Sequence, residues 1–321
     1  MIKKEYLDLY KKTFLIRSVE EKISSEYANQ KIRCPVHLSI GQELVPSALS
    51  FFLNKNDKAI STHRCHAHYL GKGGSLKKMI AELYGKKTGC AKGKGGSMHL
   101  IDKTVGFIGT SAIVAHNIPV GVGIALSLKN KKKRNIVVVY LGDGAVEEGV
   151  FFESINFAII KKLPILFICE NNFYSVYSAL NVRQPKDRSI SKMVEGLSIK
   201  SFSCNGYSVK NTFKILKNST RLVKKGIGPI FVEFKTYRFL EHCGPNNDDE
   251  LLYRNFREIN NWLSKDPIHL LKRTILKEKI LSNTELRKVE NNIIKKISFA
   301  FKFAENSKFP SDKDFSKDIY V

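Results

Sequence analysis

Two short apolar runs, Ile136 to Leu141 (IVVVYL) and Ile165 to Cys169 (ILFIC), constrain this chain more than any other feature. Each is rich in branched residues and reads as a buried strand. Between them Glu147 to Lys162 suits a helix, with acidic residues in its first turn and two lysines in its last, the signs its dipole favours. Strand, helix and strand form a right-handed crossover between parallel neighbours, so both strands end at the same sheet edge. The first runs into Gly142, Asp143 and Gly144, and the second into Glu170, Asn171 and Asn172. Asp143 and Asn172 are therefore expected to meet in space.

A carboxylate and a carboxamide at the carboxyl ends of adjacent parallel strands, beside a helix N-terminus, offer hard oxygen ligands and free backbone N–H groups. A divalent cation carrying a diphosphate needs that combination. The GDG tripeptide, the gap from residue 145 to 170 and the following NN resemble the diphosphate-binding motif of thiamine diphosphate enzymes. The resemblance narrows with Ala81 to Gly85, Gly89 to His99 (GCAKGKGGSMH) and Lys161 to Asn172 (KKLPILFICENN), which look like the α subunit of the E1 component of 2-oxo acid dehydrogenase complexes. Pyruvate and acetoin dehydrogenases are the types it is most similar to. His37, Gly41, Gln42 and Glu43 match that family's H-x-x-x-G-Q-E stretch, and Tyr237, Arg238 and His242 its late Tyr-Arg…His loop. The resemblance covers nearly the whole chain. It implies an α/β fold with a doubly wound, mainly parallel sheet flanked by helices, followed by a helical C-terminal extension.

The 321 residues suffice for one large core, and no Pro/Gly/Ser-rich linker divides them, so a single domain over 1–321 is expected, with 250–321 mostly helical. The net charge of +24 invites a nucleic-acid reading. Its lysines are spread from Lys3 to Lys317, however, and no run interleaves aromatics with arginine as a single-strand groove would. No nucleic-acid partner is expected. Six well-separated cysteines give neither a C-x-x-C pair nor a zinc spacing. The N-terminus mixes apolar residues with charges like an amphipathic helix, and Lys161 and Lys162 interrupt the longest apolar stretch, so neither a signal peptide nor a membrane span is read. A cytoplasmic location is expected.

Elsewhere the pattern alternates in the α/β manner. Residues 1 to 30 read as helix, Ser61 to Leu70 as a strand end and histidine-rich loop, Ser75 to Tyr84 and Ile118 to Leu128 as helices, and Phe231 to Tyr237 as a strand. Gly85 to Gly96 is a glycine-lysine loop. No strand precedes it, its glycines are too close for a P-loop, and Lys94 is followed by Gly95 rather than Ser or Thr, so a structural role is expected.

Site residues follow from the resemblance by position. Asp143 would bind Mg²⁺ directly, with the side-chain oxygen of Asn172 and the backbone carbonyl of Tyr174, while the amides of Gly144 and Ala145 would face the thiamine diphosphate. His63 and Arg64 match a pair that contacts the diphosphate, Arg64 being the better suited because a guanidinium grips phosphate bidentately. Ala112, Ile113 and Val114 match the segment that holds the aminopyrimidine ring, or else pack in the core. His242 resembles a loop histidine near the reacting carbon, able to order the cofactor and trade protons near neutral pH, and His37 a substrate-side histidine. His66, His68, His99 and His116 read as satisfied or surface histidines.

The implied reaction belongs to an oxidoreductase acting on an oxo group: decarboxylation of a 2-oxo acid and reductive transfer of the acyl group to a lipoyl domain of an E2 protein. The glutamate that activates the aminopyrimidine must come from a second chain, which implies an E1 β subunit and an α2β2 heterotetramer. Phe173 to Tyr177 and Thr62 to Leu70 depart from the pyruvate pattern toward an acetoin-like or less characterised branch, whereas the small-residue loop shared with pyruvate enzymes is complete, so pyruvate ranks first narrowly, acetoin second and a branched-chain 2-oxo acid third. A thiamine diphosphate carboligase or oxidoreductase of a specialised pathway is the remaining alternative. Cys243 stands where regulated animal enzymes carry a phosphorylatable serine, which leaves that form of kinase control unsupported.

Overall fold

In the computed structural model, which describes residues 1–317, the two apolar runs are the centre of a six-stranded, wholly parallel sheet. The strands are β1 (Lys58–Ser61), β2 (Phe107–Thr110), β3 (Val137–Gly142), β4 (Ile165–Asn171), β7 (Lys200–Asn205) and β8 (Ile230–Lys235), in the order β2-β1-β3-β4-β8-β7. A two-stranded antiparallel ribbon, β5 (Tyr174–Ser175) and β6 (Ser178–Ala179), follows β4.

β3 and β4 carry continuous apolar runs because both sheet faces are covered. Alternate side chains divide between two clusters. Val138, Tyr140, Leu166, Ile168, Val232 and Phe234 enter one, with the N-terminal helix Lys3–Tyr27 and the C-terminal helix Asn283–Asn306. Val137, Val139, Leu141, Phe167 and Phe231 enter the other, against helices Asn117–Asn130 and Gly149–Ile160. Each large aliphatic side chain buried this way stabilises the fold by about 1.5–3 kcal/mol. Gly121 lets the helix Asn117–Asn130 lie close on the sheet, since a Cβ there would stand 2.3 Å from Cγ2 of Val139.

The strand order places the site. From β1 the chain moves outward to β2, then returns to the other side of β1 to form β3. That reversal opens a crevice at the carboxyl ends of β1 and β3, where open parallel sheets bind ligands.

Three local readings change. The β3–β4 helix begins at Gly149, after a 3₁₀ turn at Asp143–Glu147, so Glu147 and Glu148 precede its first turn. His66–Gly71 is a short helix where a loop was expected. Tyr237 falls just outside β8, which ends at Lys235. The C-terminal region is helical as expected, at Phe256–Leu263, Pro267–Lys277 and Asn283–Asn306.

Candidate active site

The eleven candidate residues His37, His63, Arg64, Ala112, Val114, Asp143, Gly144, Ala145, Asn172, Tyr174 and His242 all line one cavity of about 200 Å³. It opens at the strand-order reversal. β1 delivers His63 and Arg64, the segment after β2 delivers Ala112 and Val114, and β3 delivers Asp143 to Ala145.

The β3 and β4 ends meet as the crossover requires: the backbone N–H of Asn172 donates to Oδ1 of Asp143 at 3.3 Å. Two successive Asx turns shape the β4 end. Oδ1 of Asn171 accepts from the amide of Phe173 at 3.0 Å, and Oδ1 of Asn172 from that of Tyr174 at 3.1 Å. Phe173 takes φ 71° and Val176 φ 53°, which folds the chain back over the cavity.

Asp143 is buried, and burial pushes its carboxyl up against the counteracting pull of Arg183. Nη2 of Arg183 pairs with Oδ2 of Asp143 and Nη1 with Glu147, while Nε donates to the carbonyl of Ser178 at 3.1 Å. A guanidinium thus stands as a cation beside the carboxylate that sequence assigns to metal binding. Sequence reasoning missed Arg183 because only the fold brings the ribbon back to β3.

The opposite end is built by pairing between two remote segments. Val36 and Ile40 accept from Gly244 at 2.8 Å and Phe239 at 3.1 Å, so residues 36–40 run beside the loop 239–244. This brings the rings of His37, His63 and His242 together, with centroids 4.6 to 5.4 Å apart. Arg64 braces the loop, its Nη1 donating to Leu38 O at 2.6 Å and its Nη2 to His242 O at 3.0 Å. Burial, with Arg64 adding to it, lowers the ring pKa to about 2 for His37, about 3 for His242 and about 4 for His63. Burial likewise lowers that of Arg64 to about 9. Burial and the neighbouring Arg64 thus oppose, in the free chain, the proton exchange near neutral pH expected of His242.

Other matched positions act behind the wall. Arg238 is buried and donates to the carbonyls of Leu240 and Val176 and to the hydroxyl of Tyr253, tying the late loop to the ribbon. Tyr237 stacks on Trp262 at 5.6 Å. Glu43 receives Arg17 and the amide of Gly41, fixing the turn after His37. His66 is satisfied by Glu20 at 3.0 Å and Ser97 at 2.8 Å, and His68 by Ser61 at 2.6 Å and Glu170 at 2.9 Å. His99 and His116 are exposed. Ile113 and Val114 are 69% and 48% exposed, which removes core packing as their role.

The wall also contains groups sequence reasoning left unassigned. Glu170 and Gln42 line the cavity and form a chain, with Nε2 of Gln42 near Glu170 at 3.4 Å and Nδ2 of Asn172 near Oε1 of Gln42 at 3.3 Å. Oε1 of Glu170 and Nδ1 of His37 are buried with no hydrogen-bond partner. Such groups are costly unless an occupant satisfies them. The glycine-lysine loop, by contrast, is internally complete: the carboxylate of Glu82 accepts from the amides of Ala91, Gly93, Gly95 and Gly96 at 2.7–3.2 Å. Its N–H groups hold an anion from its own chain, which rules out the P-loop role.

Comparison with known proteins agrees with this geometry. Residues 11–313 match the family described as Dehydrogenase E1 component. The chain is 35% identical over 320 residues to a protein of Rickettsia bellii named pyruvate dehydrogenase E1 component subunit alpha, covering 100% of this chain and 97% of that one. It is 33% identical to a chloroplastic pyruvate dehydrogenase E1 component subunit alpha-3 of Arabidopsis thaliana, over 99% of this chain and 75% of the relative. It is 34% identical to a testis-specific mitochondrial form of the same subunit from Rattus norvegicus, over 100% and 80% of the two chains.

Proposed function

From the premise that this chain belongs to the dehydrogenase E1 component family, as a thiamine diphosphate-dependent E1 α subunit that works with a β subunit, we propose that it decarboxylates pyruvate and passes the acetyl group to a lipoyl domain. The observation that carries the reading is the Asp143–Asn172 junction at the floor of a cavity whose other end holds Arg64 and three histidines.

The residues fit the cofactor. Asp143 already takes a cationic partner, the oxygens of Asp143, Asn172 and Tyr174 are the hard ligands Mg²⁺ prefers, and Glu170 and His37 present unpaired polar atoms at the wall. Bound thiamine diphosphate supplies the electron sink that 2-oxo acid decarboxylation requires. Asp143, the Asn172 side chain and the Tyr174 carbonyl would hold the metal. The amides of Gly144 and Ala145 would bind the diphosphate, and Arg64 would supply a guanidinium for it. His37, His63 and His242 act as neutral donors or acceptors and need no charge change to orient a bound molecule. Ala112 and Val114 offer apolar contact for a ring face. Exposed Ile113 and its cavity-lining neighbour Val114 suit a surface covered by the β subunit, in keeping with an α2β2 assembly over a single α domain. Six unpaired thiols suit a reducing, cytoplasmic setting. No described helix is long and apolar enough to cross a membrane.

A second reading, acetoin as substrate, draws on Ser175 and Val176, which line the cavity where the sequence departs from the pyruvate pattern. Reduction of dichlorophenolindophenol by the chain co-purified with its β subunit, with thiamine diphosphate and Mg²⁺, separates the readings. Pyruvate turnover that Asp143→Ala abolishes supports the first; turnover of acetoin alone transfers it to the second, and no turnover with either refutes both. Size exclusion of co-expressed α and β chains tests the assembly, and an α chain that turns over alone would refute it.

A further inference from the structure

The sheet ends at β7, whose outer side pairs with no strand among the described residues. An unpaired strand edge presents a row of backbone N–H and C=O groups that another chain can join. Lys200, Ser203 and Asn205 of β7 are exposed there. Beside the edge lies a cavity of about 700 Å³, lined from β7 by residues 202–205 and from the helix Val209–Lys224 chiefly by Lys214, Ile215, Lys217 and Arg221. It shares no residue with the candidate active site. It also lies at the far edge of the sheet from β2, which precedes the Ile113 segment, so a β subunit seated on that segment leaves it open.

The helix is sharply two-sided. Phe213, Leu216 and Val223 enter the core. Lys210, Lys214, Lys217, Arg221 and Lys224 recur at intervals of four and three residues, so they share the opposite, exposed face. Lys224 is spent on Asp57 at 2.9 Å. Lys210, Lys214 and Lys217 have no ion-pair partner among the described residues, and Arg221 reaches only Oδ1 of Asn218, at 2.9 Å. No Asp or Glu occurs from residue 196 to 232. The flanking acids are engaged on the other face of β7, where Glu195 accepts from Ser201 at 3.0 Å and Glu233 from Ser203 at 3.3 Å. The stripe is therefore a local concentration of uncompensated positive charge, set along an open strand edge.

These two features ask for one occupant. An extended chain added to β7 would satisfy the edge through its backbone, while alternate side chains on one face would point toward the helix. Glutamates at every second position stand about 6.7 Å apart in a strand, close to the rises of about 4.5 and 6 Å that separate Lys214, Lys217 and Arg221 along the helix axis. The apolar floor of Phe202 and Ile215 suits an aliphatic neighbour better than a phosphate backbone, and a single aromatic is no stacking platform for bases. A second copy of this chain, itself of net charge +24, would bring an equally basic edge and be repelled.

We propose that the β7 edge and the basic face of the helix Val209–Lys224 form a docking groove for an acidic, extended segment of a partner polypeptide, which adds to the sheet as a seventh strand. The backbone ladder supplies the grip, and Lys214, Lys217 and Arg221 select for carboxylates.

The test is fluorescence anisotropy of a labelled six-residue peptide of alternating glutamate and valine, with blocked ends, added to the full chain co-purified with its β subunit. Saturable binding is expected, weakening as salt rises. Affinity should fall about tenfold in the triple variant Lys214→Ala, Lys217→Ala, Arg221→Ala, whose positions are exposed. It should be unchanged in Lys131→Ala, Lys133→Ala, Arg134→Ala, which removes as much charge from another exposed place. With the unaltered protein, N-methylation of alternate peptide nitrogens should abolish binding in one of the two registers while leaving every charge in place, a readout independent of any variant's folding. No saturable binding, equal loss in both triple variants, or full binding by both N-methylated peptides would each overturn the proposal. So would tighter binding of an oligothymidylate or of phosphatidylserine vesicles at the same three residues, which would assign the stripe to a nucleic acid or a lipid surface.

Discussion

The guanidinium of Arg183 pairs with the carboxylate of Asp143, and its second terminal nitrogen pairs with Glu147. Since Asp143 is also the residue proposed to bind Mg²⁺, that proposal sets arginine and metal in competition for one carboxylate. Arg183→Gln should tighten Mg²⁺ binding in the presence of thiamine diphosphate by roughly tenfold, equivalent to about 1.4 kcal/mol. The same change should lower the melting temperature of the metal-free protein, because it leaves a buried carboxylate unpaired. Calorimetry and thermal unfolding read the two effects; equal Mg²⁺ affinity in both proteins would show that the pair is not in competition.

Asp143→Asn keeps the shape of the side chain and its acceptor for the amide of Asn172, yet removes the charge. Mg²⁺-dependent thiamine diphosphate binding should weaken by about 100-fold or more while the fold is retained, consistent with the loss of a charged ligand rather than of packing. Quenching of the single tryptophan, Trp262, offers one monitor. Retention of full affinity would remove Asp143 from the metal site.

The histidine cluster predicts an acid limb in stability. In the unfolded chain each ring titrates near pH 6.5, and in the folded chain at about 2 for His37, about 3 for His242 and about 4 for His63. Between about pH 4 and 6.5 the unfolded state therefore binds more protons, so stability rises with pH across that window and is lost as pH falls through it. Above it both states are neutral and the contribution is complete. His63→Phe should flatten the slope of melting temperature against pH in this window by one proton's share; a profile parallel to that of the unaltered protein would contradict the assignment.

Gln42 joins Asn172 to Glu170 and hence to His68. Gln42→Ala should cost about 10- to 100-fold in cofactor–metal affinity, as loss of an outer-shell partner does, with little change in stability. Equilibrium dialysis with thiamine diphosphate and Mg²⁺ measures it. An unchanged dissociation constant would show that Asn172 needs no support from this chain.

Ile113 stands 69% exposed between Ala112 and Val114, which line the cavity. Placing a charge there, as Ile113→Asp, should abolish co-elution with the β subunit while leaving the α chain folded, since burying an unpaired carboxylate at an interface is strongly unfavourable. Normal co-elution would place the subunit contact elsewhere.

The legible part of this protein was whatever depends on short-range pattern. β3 and β4 announce themselves by apolar runs, and parallel pairing then forces Asp143 toward Asn172, as found at 3.3 Å. The histidine positions were readable from motif, yet their neutrality was not, because it arises from burial between two segments some 200 residues apart and from Arg64. Arg183 gave no signal, since a lone arginine in a polar stretch looks exposed until the ribbon carries it back over β3. The short helix at His66–Gly71 was hidden because Arg64 and Cys65 just before it commit their side chains to the carbonyls of Leu38 and Ser97 instead of to a visible cap. Exposure of Ile113 and Val114 ran against their hydrophobic character, which is the usual difficulty where an apolar surface belongs to an assembly.

The carboxylate of Glu82 gathers four amides of the glycine-lysine loop, all of them nine to fourteen residues further along the chain. Closing so short a span takes on the order of 100 ns, far less than the time in which remote strands find one another. The loop can thus acquire its shape as soon as its own residues have been synthesised, before any small molecule or second polypeptide arrives.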